Sequence, residues 1–353
     1  MKTVNKKNNI FVSKNENELF IFLKKNLNQN DLIIFDKVLV KNNLIKKLSN
    51  LNNIKLIKIE GNEKIKSLKD YSRIAEKILE LGINRKSKIV SIGGGTIGDL
   101  IGFISSTLLR GIEHIMIPTT LLSMVDSSIG GKTGINSKVG KNLIGTFYMP
   151  KIVIINLNFL KTLPSREMSC GFAEVIKYAF IHNNKLKTNL KNYDNDKLNL
   201  KKLENIIIES IKTKLNFTKD FRELKIGNNS RAILNFGHSF GHAIESLNYY
   251  KSSIKHGEAV ALGMIIEINI SNKLNLKPNS IENLKKLLIK FHLPTNYKKF
   301  INLKNINNIF EKIKKDKKAI KNDIQIILIK GNKGINRKIS FDSLKKIIIN
   351  LIK

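Results

Sequence analysis

The sequence predicts an α/β N-terminal domain with a mainly parallel, Rossmann-like sheet, followed by a mainly α-helical domain. Three observations predict it: apolar runs of strand length alternate with helical spacing, a glycine-rich turn follows one such run directly, and beyond Pro164 the strand-like runs give way to long helical spacing. The change of character divides residues 1–160 from 161–353.

Residues 32–35 and 54–59 are the first two strand-length runs, separated by a polar helical stretch at 44–51. Residues 67–81 carry Leu68, Tyr71, Ile74, Ala75, Ile78 and Leu79, the spacing of an amphipathic helix. A strand at 88–92 runs into Gly93, Gly94 and Gly95; another at 114–117 is stopped by Pro118; a further one spans 152–156. Strands alternating with helices imply a parallel sheet covered on both faces. The stretches 166–182, 203–219, 237–247 and 256–274 then read as helices, and strand character returns only at 324–329. No internal repeat or linker is visible, and the Lys/Asn-rich segment 183–202 reads as a solvated excursion.

The 353 residues carry 63 Lys and Arg against 28 Asp and Glu, a net charge of +35 that by itself suggests nucleic acid or an anionic membrane. Its distribution argues otherwise. Residues 93–150 hold Arg110, Lys132, Lys138 and Lys141 against Asp99, Glu113 and Asp126, whereas in 301–353 fourteen basic residues face four acidic ones. The excess lies in outer segments where Lys, Asn and Ile rise together, a bias a phosphate-binding surface does not need. Trp is absent and Arg is scarce beside Lys, so no nucleic-acid partner is expected. No run reaches the roughly 18 apolar residues of a membrane span, no secretory signal is visible, and the single cysteine, Cys170, fits a reducing cytoplasm.

Gly93-Gly94-Gly95-Thr96-Ile97-Gly98-Asp99 satisfies G-x-G-x-x-G between a strand and a helix. Glycine there lets the backbone approach a pyrophosphate, whose charge is met by N–H groups at the helix start. No acid ends a strand about 20 positions later, where a ribose partner is expected; Asp36 and Glu63, after the first two strands, are the acids with a similar opportunity. His238 and His242 lie four apart on one helix face, and His256 heads another helix. Two such histidines can share a metal, with Glu174 as the carboxylate that completes a three-ligand site; hydrogen-bonded core histidines are the alternative. Lys132 and Lys141 sit in glycine-rich, low-charge sequence and, with Arg110, suit phosphate or carboxylate groups. Cys170 has no base in its own segment and reads as a small buried residue.

The segments GGTIGD (94–99), PTTLLSMVDSS (118–128), GGKTGIN (130–136), GKN (140–142), AEVIK (173–177), LNFGHSFGHAIE (234–245) and HGEAV (256–260), in that order, resemble the 3-dehydroquinate synthase family. The resemblance covers residues 63–264, with a weaker tail at Asp316, Lys317 and Lys318. It implies an NAD- and zinc- or cobalt-dependent cytoplasmic enzyme, a homodimer, converting the small anionic sugar phosphate 3-deoxy-D-arabino-heptulosonate 7-phosphate to 3-dehydroquinate and phosphate in the shikimate pathway. Other sugar-phosphate cyclases and metal-dependent polyol dehydrogenases of the superfamily are the alternatives. By the same resemblance the metal ligands are Glu174, His238 and His256, while His242 works in proton transfer. NAD contacts fall on Asp36, on Gly61, Asn62, Glu63, Lys64, Ile65 and Lys66, and on Gly95, Thr96, Ile97, Gly98 and Asp99. They continue on Thr119, Thr120, Lys132 and Lys141, and on Phe159, Leu160, Lys161 and Thr162. Asp126, Lys132, Asn142, Lys177, Arg231 and Asn235 hold the substrate, and Arg110 reaches its phosphate across a dimer interface. Two departures stand out. Glu223 lies eight residues before Arg231 where the family has four, which an insertion around 227–230 accounts for, and Val38 replaces a common polar contact. The roles of Lys214, Glu223 and Lys317 or Lys318 stay open.

Overall fold

A computed structural model describes residues 1–51, 54–219, 227, 230–247, 254–278, 281–315, 319–320 and 323–353. The chain forms two compact units, Met1–Pro164 and Ser165–Lys353.

In the first unit the strands are β1 (Lys2–Asn5), β2 (Ile10–Ser13), β3 (Leu32–Asp36), β4 (Lys55–Ile59), β5 (Lys88–Gly93), β6 (Glu113–Pro118), β7 (Lys132–Ser137), β8 (Gly140–Phe147) and β9 (Ile152–Asn156). Seven of them form one sheet in the order β1-β2-β9-β6-β5-β3-β4, parallel throughout except for the β1–β2 pair. The run β4-β3-β5-β6-β9 is a doubly wound order whose chain direction reverses between β3 and β5, the crevice where such sheets bind ligands. Helices α1 (Glu16–Asn26), α2 (Asn43–Ser49), α3 (Leu68–Glu80) and α4 (Gly95–Thr107) make the crossovers. Central strands read as continuous apolar runs because both faces are covered: all but the last residue of β3 are buried. Gly98 and Gly102 give α4 its close seat. A Cβ on Gly98 would overlap Met116 of β6, and one on Gly102 would lie 2.5 Å from the Thr133 methyl of β7.

The glycine-rich, low-charge stretch around Lys132 and Lys141 forms the antiparallel hairpin β7–β8, docked on α4. Gly134 and Gly145 pair directly across it, and a Cβ on Gly134 would lie 2.7 Å from the Ile144 carbonyl, so the glycines serve backbone approach rather than mobility.

The second unit contains α5 (Ser165–Ile181), α6 (Asn184–Lys191), α7 (Leu200–Phe217), α8 (His238–Leu247), α9 (His256–Lys273), α10 (Ile281–Lys290), α11 (Ile306–Lys315) and α12 (Phe341–Ile352). A small antiparallel sheet, β10 (Ala319–Ile320), β11 (Asp323–Lys330) and β12 (Lys333–Ser340), joins them. The expected solvated excursion holds a docked helix: Leu186 and Leu190 of α6 are fully buried against α5 and α7. The Asn surplus has a local use, since Asn15, Asn42, Asn183 and Asn199 cap the N-termini of α1, α2, α6 and α7 with their side-chain oxygens. Among the described residues no helix is long and apolar enough to cross a membrane.

His114 on β6 is buried beside Ser91 of β5, whose Oγ lies 2.8 Å from its Nε2. Burial pushes its pKa down to about 4. The folded state therefore binds this proton less readily than the unfolded chain, and the stability it contributes is complete above about pH 6.5 and lost as pH falls toward 4. His114→Gln is expected to remove about 2 kcal/mol of the stability difference between pH 7.5 and pH 5. Urea unfolding at both pH values checks this; equal pH dependence in both proteins would contradict it.

Candidate cofactor and metal sites

In the first unit, five adjacent parallel strands end at the residues expected to meet a cofactor. Asp36 closes β3, residues 61–66 follow β4, Gly95 to Asp99 follow β5, Thr119 and Thr120 follow β6, and Phe159 to Thr162 follow β9. That common edge is where a doubly wound sheet binds ligands. Gly94, at the N-cap of α4, offers no side chain to the first-turn N–H groups. A Cβ on Gly94 would lie 3.2 Å from the Thr120 methyl and one on Gly95 2.9 Å from Ser127 Oγ, so this cradle admits backbone only. Asp36 Oδ1 accepts from the N–H groups of Val38 at 3.2 Å and Gly61 at 3.3 Å, and a Cβ on Gly61 would overlap the Asp36 carboxylate. Thr120 and Ser123 exchange hydrogen bonds that fix the turn after β6: the Thr120 N–H donates to Ser123 Oγ at 3.1 Å and the Ser123 N–H to Thr120 Oγ1 at 3.1 Å. Glycine backbone, a helix start and acids at strand ends fit a dinucleotide. Phe159 and Leu160 are buried, so they offer backbone or packing there, while Lys161 and Thr162 are exposed.

Lys66 is buried, with Nζ 2.8 Å from Asp99 Oδ2, 3.9 Å from Glu63 Oε1 and hydrogen-bonded to Asn142 Oδ1. Burial pushes the Asp99 carboxyl above its usual range, against the pull of that ammonium. Lys132, Lys141 and Asn142 are exposed on the hairpin, and Asp126 lies on the turn at Ser123–Ser127. Arg110 is not with them. It ends the turn Leu108–Arg110 at the far end of α4, about 20 Å along the axis from Gly95, exposed and in the left-handed region at φ 68°.

In the second unit, Glu174 on α5 is fully buried and neither carboxylate oxygen takes part in a hydrogen bond. Its ion-pair partner is Lys177, one turn along the same helix and also buried. His238 Nε2 lies 3.6 Å from Glu174 Oε1 and His256 Nε2 3.8 Å from it, and the ligand atoms of the three residues fall within 4.8 Å of one another. The opposite ring nitrogens are engaged: His238 Nδ1 lies 3.1 Å from the Phe236 carbonyl and His256 Nδ1 3.2 Å from Glu245 Oε2. Partners that only accept place the proton on Nδ1 and leave both Nε2 lone pairs facing Glu174. One carboxylate, two imidazoles and a buried anionic oxygen without hydrogen bonds suit a divalent cation such as zinc. Among the described residues this is the only such cluster. His242, also on α8, has its ring centroid 5.2 Å from His238 and 5.8 Å from His256, is exposed, and is not in the cluster.

Helix packing sets this geometry. A Cβ on Gly257 would overlap the Cys170 backbone, so α9 meets α5 one residue past His256 and one turn before Glu174. Likewise a Cβ on Gly263 would overlap the Gly237 carbonyl, locking α9 onto the start of α8. Glu267 of α9, fully buried, accepts the Gly237 N–H at 2.5 Å, immediately before His238. No motif marks Glu267, whose signal in the sequence is an acid inside an apolar helix, and Gly257 and Glu245 stand there only within HGEAV and LNFGHSFGHAIE. Lys177, Lys214 and Arg231 are buried, from α5, α7 and the turn Arg231–Asn235, where half-buried Asn235 also sits. Glu223, Lys317 and Lys318 lie outside the described residues. Burial pushes the Cys170 thiol up to about 12, which leaves it a packing residue.

The fold and the two sites define a class: a doubly wound α/β unit with a dinucleotide-type edge, followed by a helical unit with a Glu-His-His cluster. Comparison with known proteins narrows that class. The model of the 3-dehydroquinate synthase N-terminal domain matches residues 56–170, and that of the C-terminal domain residues 171–319. The chain is 39% identical to the 3-dehydroquinate synthase of Endomicrobium trichonymphae, over 99% of this chain and 95% of that one. It is 46% identical to that of Dictyoglomus thermophilum over 78% and 76% of the two chains. A crystal structure of 2-deoxy-scyllo-inosose synthase complexed with carbaglucose-6-phosphate, NAD+ and Co2+ is 27% identical and superposes with a TM-score of 0.82 over 97% of this chain and 96% of that one. The chain belongs to the 3-dehydroquinate synthase family.

Gly257→Ala is expected to push α9 away from α5 and to weaken Co2+ or Zn2+ binding about tenfold or more, in line with the ~1–3 kcal/mol of overpacking. Titration of the metal-free protein measures this, and unchanged affinity would contradict the packing account.

Proposed function

We propose that the chain converts 3-deoxy-D-arabino-heptulosonate 7-phosphate to 3-dehydroquinate and phosphate, with NAD held by the first unit and zinc or cobalt by Glu174, His238 and His256 of the second. The observation that carries the reading is the convergence of two imidazole Nε2 atoms on the buried Glu174 carboxylate. Bound NAD supplies a hydride acceptor that later returns the hydride, and a bound divalent cation supplies Lewis-acid polarisation of the substrate hydroxyl, so no net redox results.

The protein's own side chains bind, orient and move protons. Lys132, Asn142, Lys177, Arg231 and Asn235 take the carboxylate and phosphate of the substrate, with Asp126 orienting its hydroxyls. Anchoring both anionic ends fixes the reacting carbons through every step. His242, exposed beside the two histidine ligands, moves protons through its ring nitrogens. NAD falls to Asp36, the 61–66 turn, Gly95 to Asp99, Thr119, Thr120 and the 159–162 turn. A polyol dehydrogenase does not need the basic set Lys132, Lys141, Lys177 and Arg231, whose presence favours an anionic substrate. The same reading makes the protein a cytoplasmic homodimer. Arg110, exposed at the far end of α4, then serves the partner's substrate phosphate.

Purified protein given the heptulosonate phosphate, catalytic NAD and zinc is expected to release phosphate and form 3-dehydroquinate; no phosphate from folded, metal-loaded protein overturns the reading, and a different carbocycle assigns another cyclase. His238→Ala is expected to lose both metal and turnover, whereas His242→Ala keeps the metal and loses rate, by about 10²-fold or more for a proton-transfer group. Metal analysis with the opposite outcome would reverse the two roles.

A further inference from the structure

Lys66 is the most deeply buried cation of the first unit, with 3% of its side chain exposed, and every partner around it is an acceptor. Its ammonium has three N–H donors and faces three groups: Asp99 Oδ2 at 2.8 Å, Asn142 Oδ1 in a short hydrogen bond, and Glu63 Oε1 at 3.9 Å. Two of the three donors are spent on hydrogen bonds to Asp99 and Asn142, and the Glu63 carboxylate lies at ion-pair distance from the ammonium. The partners come from three separate places in the chain: the start of α4, the hairpin strand β8, and the turn Glu63–Ile65.

A second ring of bonds ties the same pieces together. The Asn136 N–H donates to the Lys66 carbonyl at 2.8 Å, and Asn136 Nδ2 donates to Glu63 Oε1 at 2.8 Å. The Asn142 N–H donates to Asn136 Oδ1 at 2.9 Å, holding Asn142 in the left-handed region at φ 53°. Ammonium and backbone N–H can only donate, so these contacts decide which end of each amide points where. Lys66 takes the Asn142 oxygen. With its oxygen turned to Lys66, the exposed Asn142 amide has its NH2 group left to meet a ligand, which suits an anionic oxygen.

We propose that the Lys66 side chain is a positioning group rather than an NAD contact, which leaves the cofactor to the backbone of the 61–66 turn: the ammonium holds the Asn142 amide with its nitrogen outward toward the anionic substrate and anchors the Asp99 carboxylate at the start of α4. The proposal rests on the sugar-phosphate reading for the identity of the anion, but not for the tie itself.

Two measurements on the full chain test it. With NAD saturating, Lys66→Met is expected to raise KM for the heptulosonate phosphate about tenfold, the loss of one charge-assisted hydrogen bond, with little change in kcat. Lys66→Arg is expected to restore part of it. Asn142→Ala is expected to raise KM similarly, and the double variant to be no worse than Asn142→Ala alone. Additive effects, or weaker NAD binding with KM for the sugar phosphate unchanged, would overturn the proposal. Hydrogen exchange of the unliganded protein gives the arm that needs no turnover: Lys66→Met is expected to speed exchange in β7 and β8 about tenfold or more while leaving the buried turns of α4 unchanged. If that variant does not fold, Lys66→Gln takes its place. Unaltered hairpin exchange overturns the tie whether or not the enzyme turns over, whereas altered exchange without phosphate release in the wild type overturns only the reading of function.

Discussion

The second unit is organised around a buried carboxylate that meets one ammonium and no hydrogen bond. Glu174 is fully buried in α5 and its oxygens receive no hydrogen bond; Lys177 is the cation at hand. An ionised carboxylate in such a place costs several kcal/mol unless opposite charge is close. Two imidazoles whose Nε2 lone pairs face the same oxygen cannot relieve that cost while neutral. A divalent cation bound there would share that load with the Lys177 ammonium, and each histidine is held by its other nitrogen with Nε2 facing Glu174. Strain of this sort inside a core is tolerated where function needs it.

Glycines let the surrounding helices come close enough to bring these three residues together. Gly257, Gly263 and Gly237 sit where α9 meets α5 and the start of α8, and Glu267 pins the Gly237 N–H. The first unit reaches its geometry differently. There the parallel sheet delivers five chain segments to one edge, and glycine at Gly61, Gly94 and Gly95 keeps side chains out of the turns. In both units backbone approach, rather than any single strong contact, positions the polar groups.

Much of this is legible in the sequence, and the reasons are specific. The strand at 152–156 and the helices starting near 68, 238 and 256 follow from apolar period alone, which is why their bounds agree with the observed elements within a residue or two. The same period pairs His238 with His242 and does not tell them apart; the cluster at Glu174 contains His238 and not His242. Other features were hidden because their cause is not local. The hairpin at 132–147 reads as loop since its glycines, Gly134 against Gly145, serve the close approach of its own two strands and leave no apolar period to read. Segment 183–202 reads as solvent-facing because just three separated residues, Leu186, Leu190 and Tyr193, are its buried apolar ones. The burial of Lys66 has no local signature at all; it arises where a turn, a helix start and a hairpin meet. The high charge is likewise divided by position, with a peripheral Lys excess that says little and a few buried or hairpin cations that say much.

The central claim is that Glu174, His238 and His256, and not His242, form a cation site of one carboxylate and two imidazoles. X-ray absorption of the cobalt- or zinc-loaded protein tests it most directly. The account predicts a first shell with two imidazole nitrogens and at least one protein oxygen, unchanged in His242→Ala. A third imidazole in that shell, or its loss in His242→Ala, would contradict it.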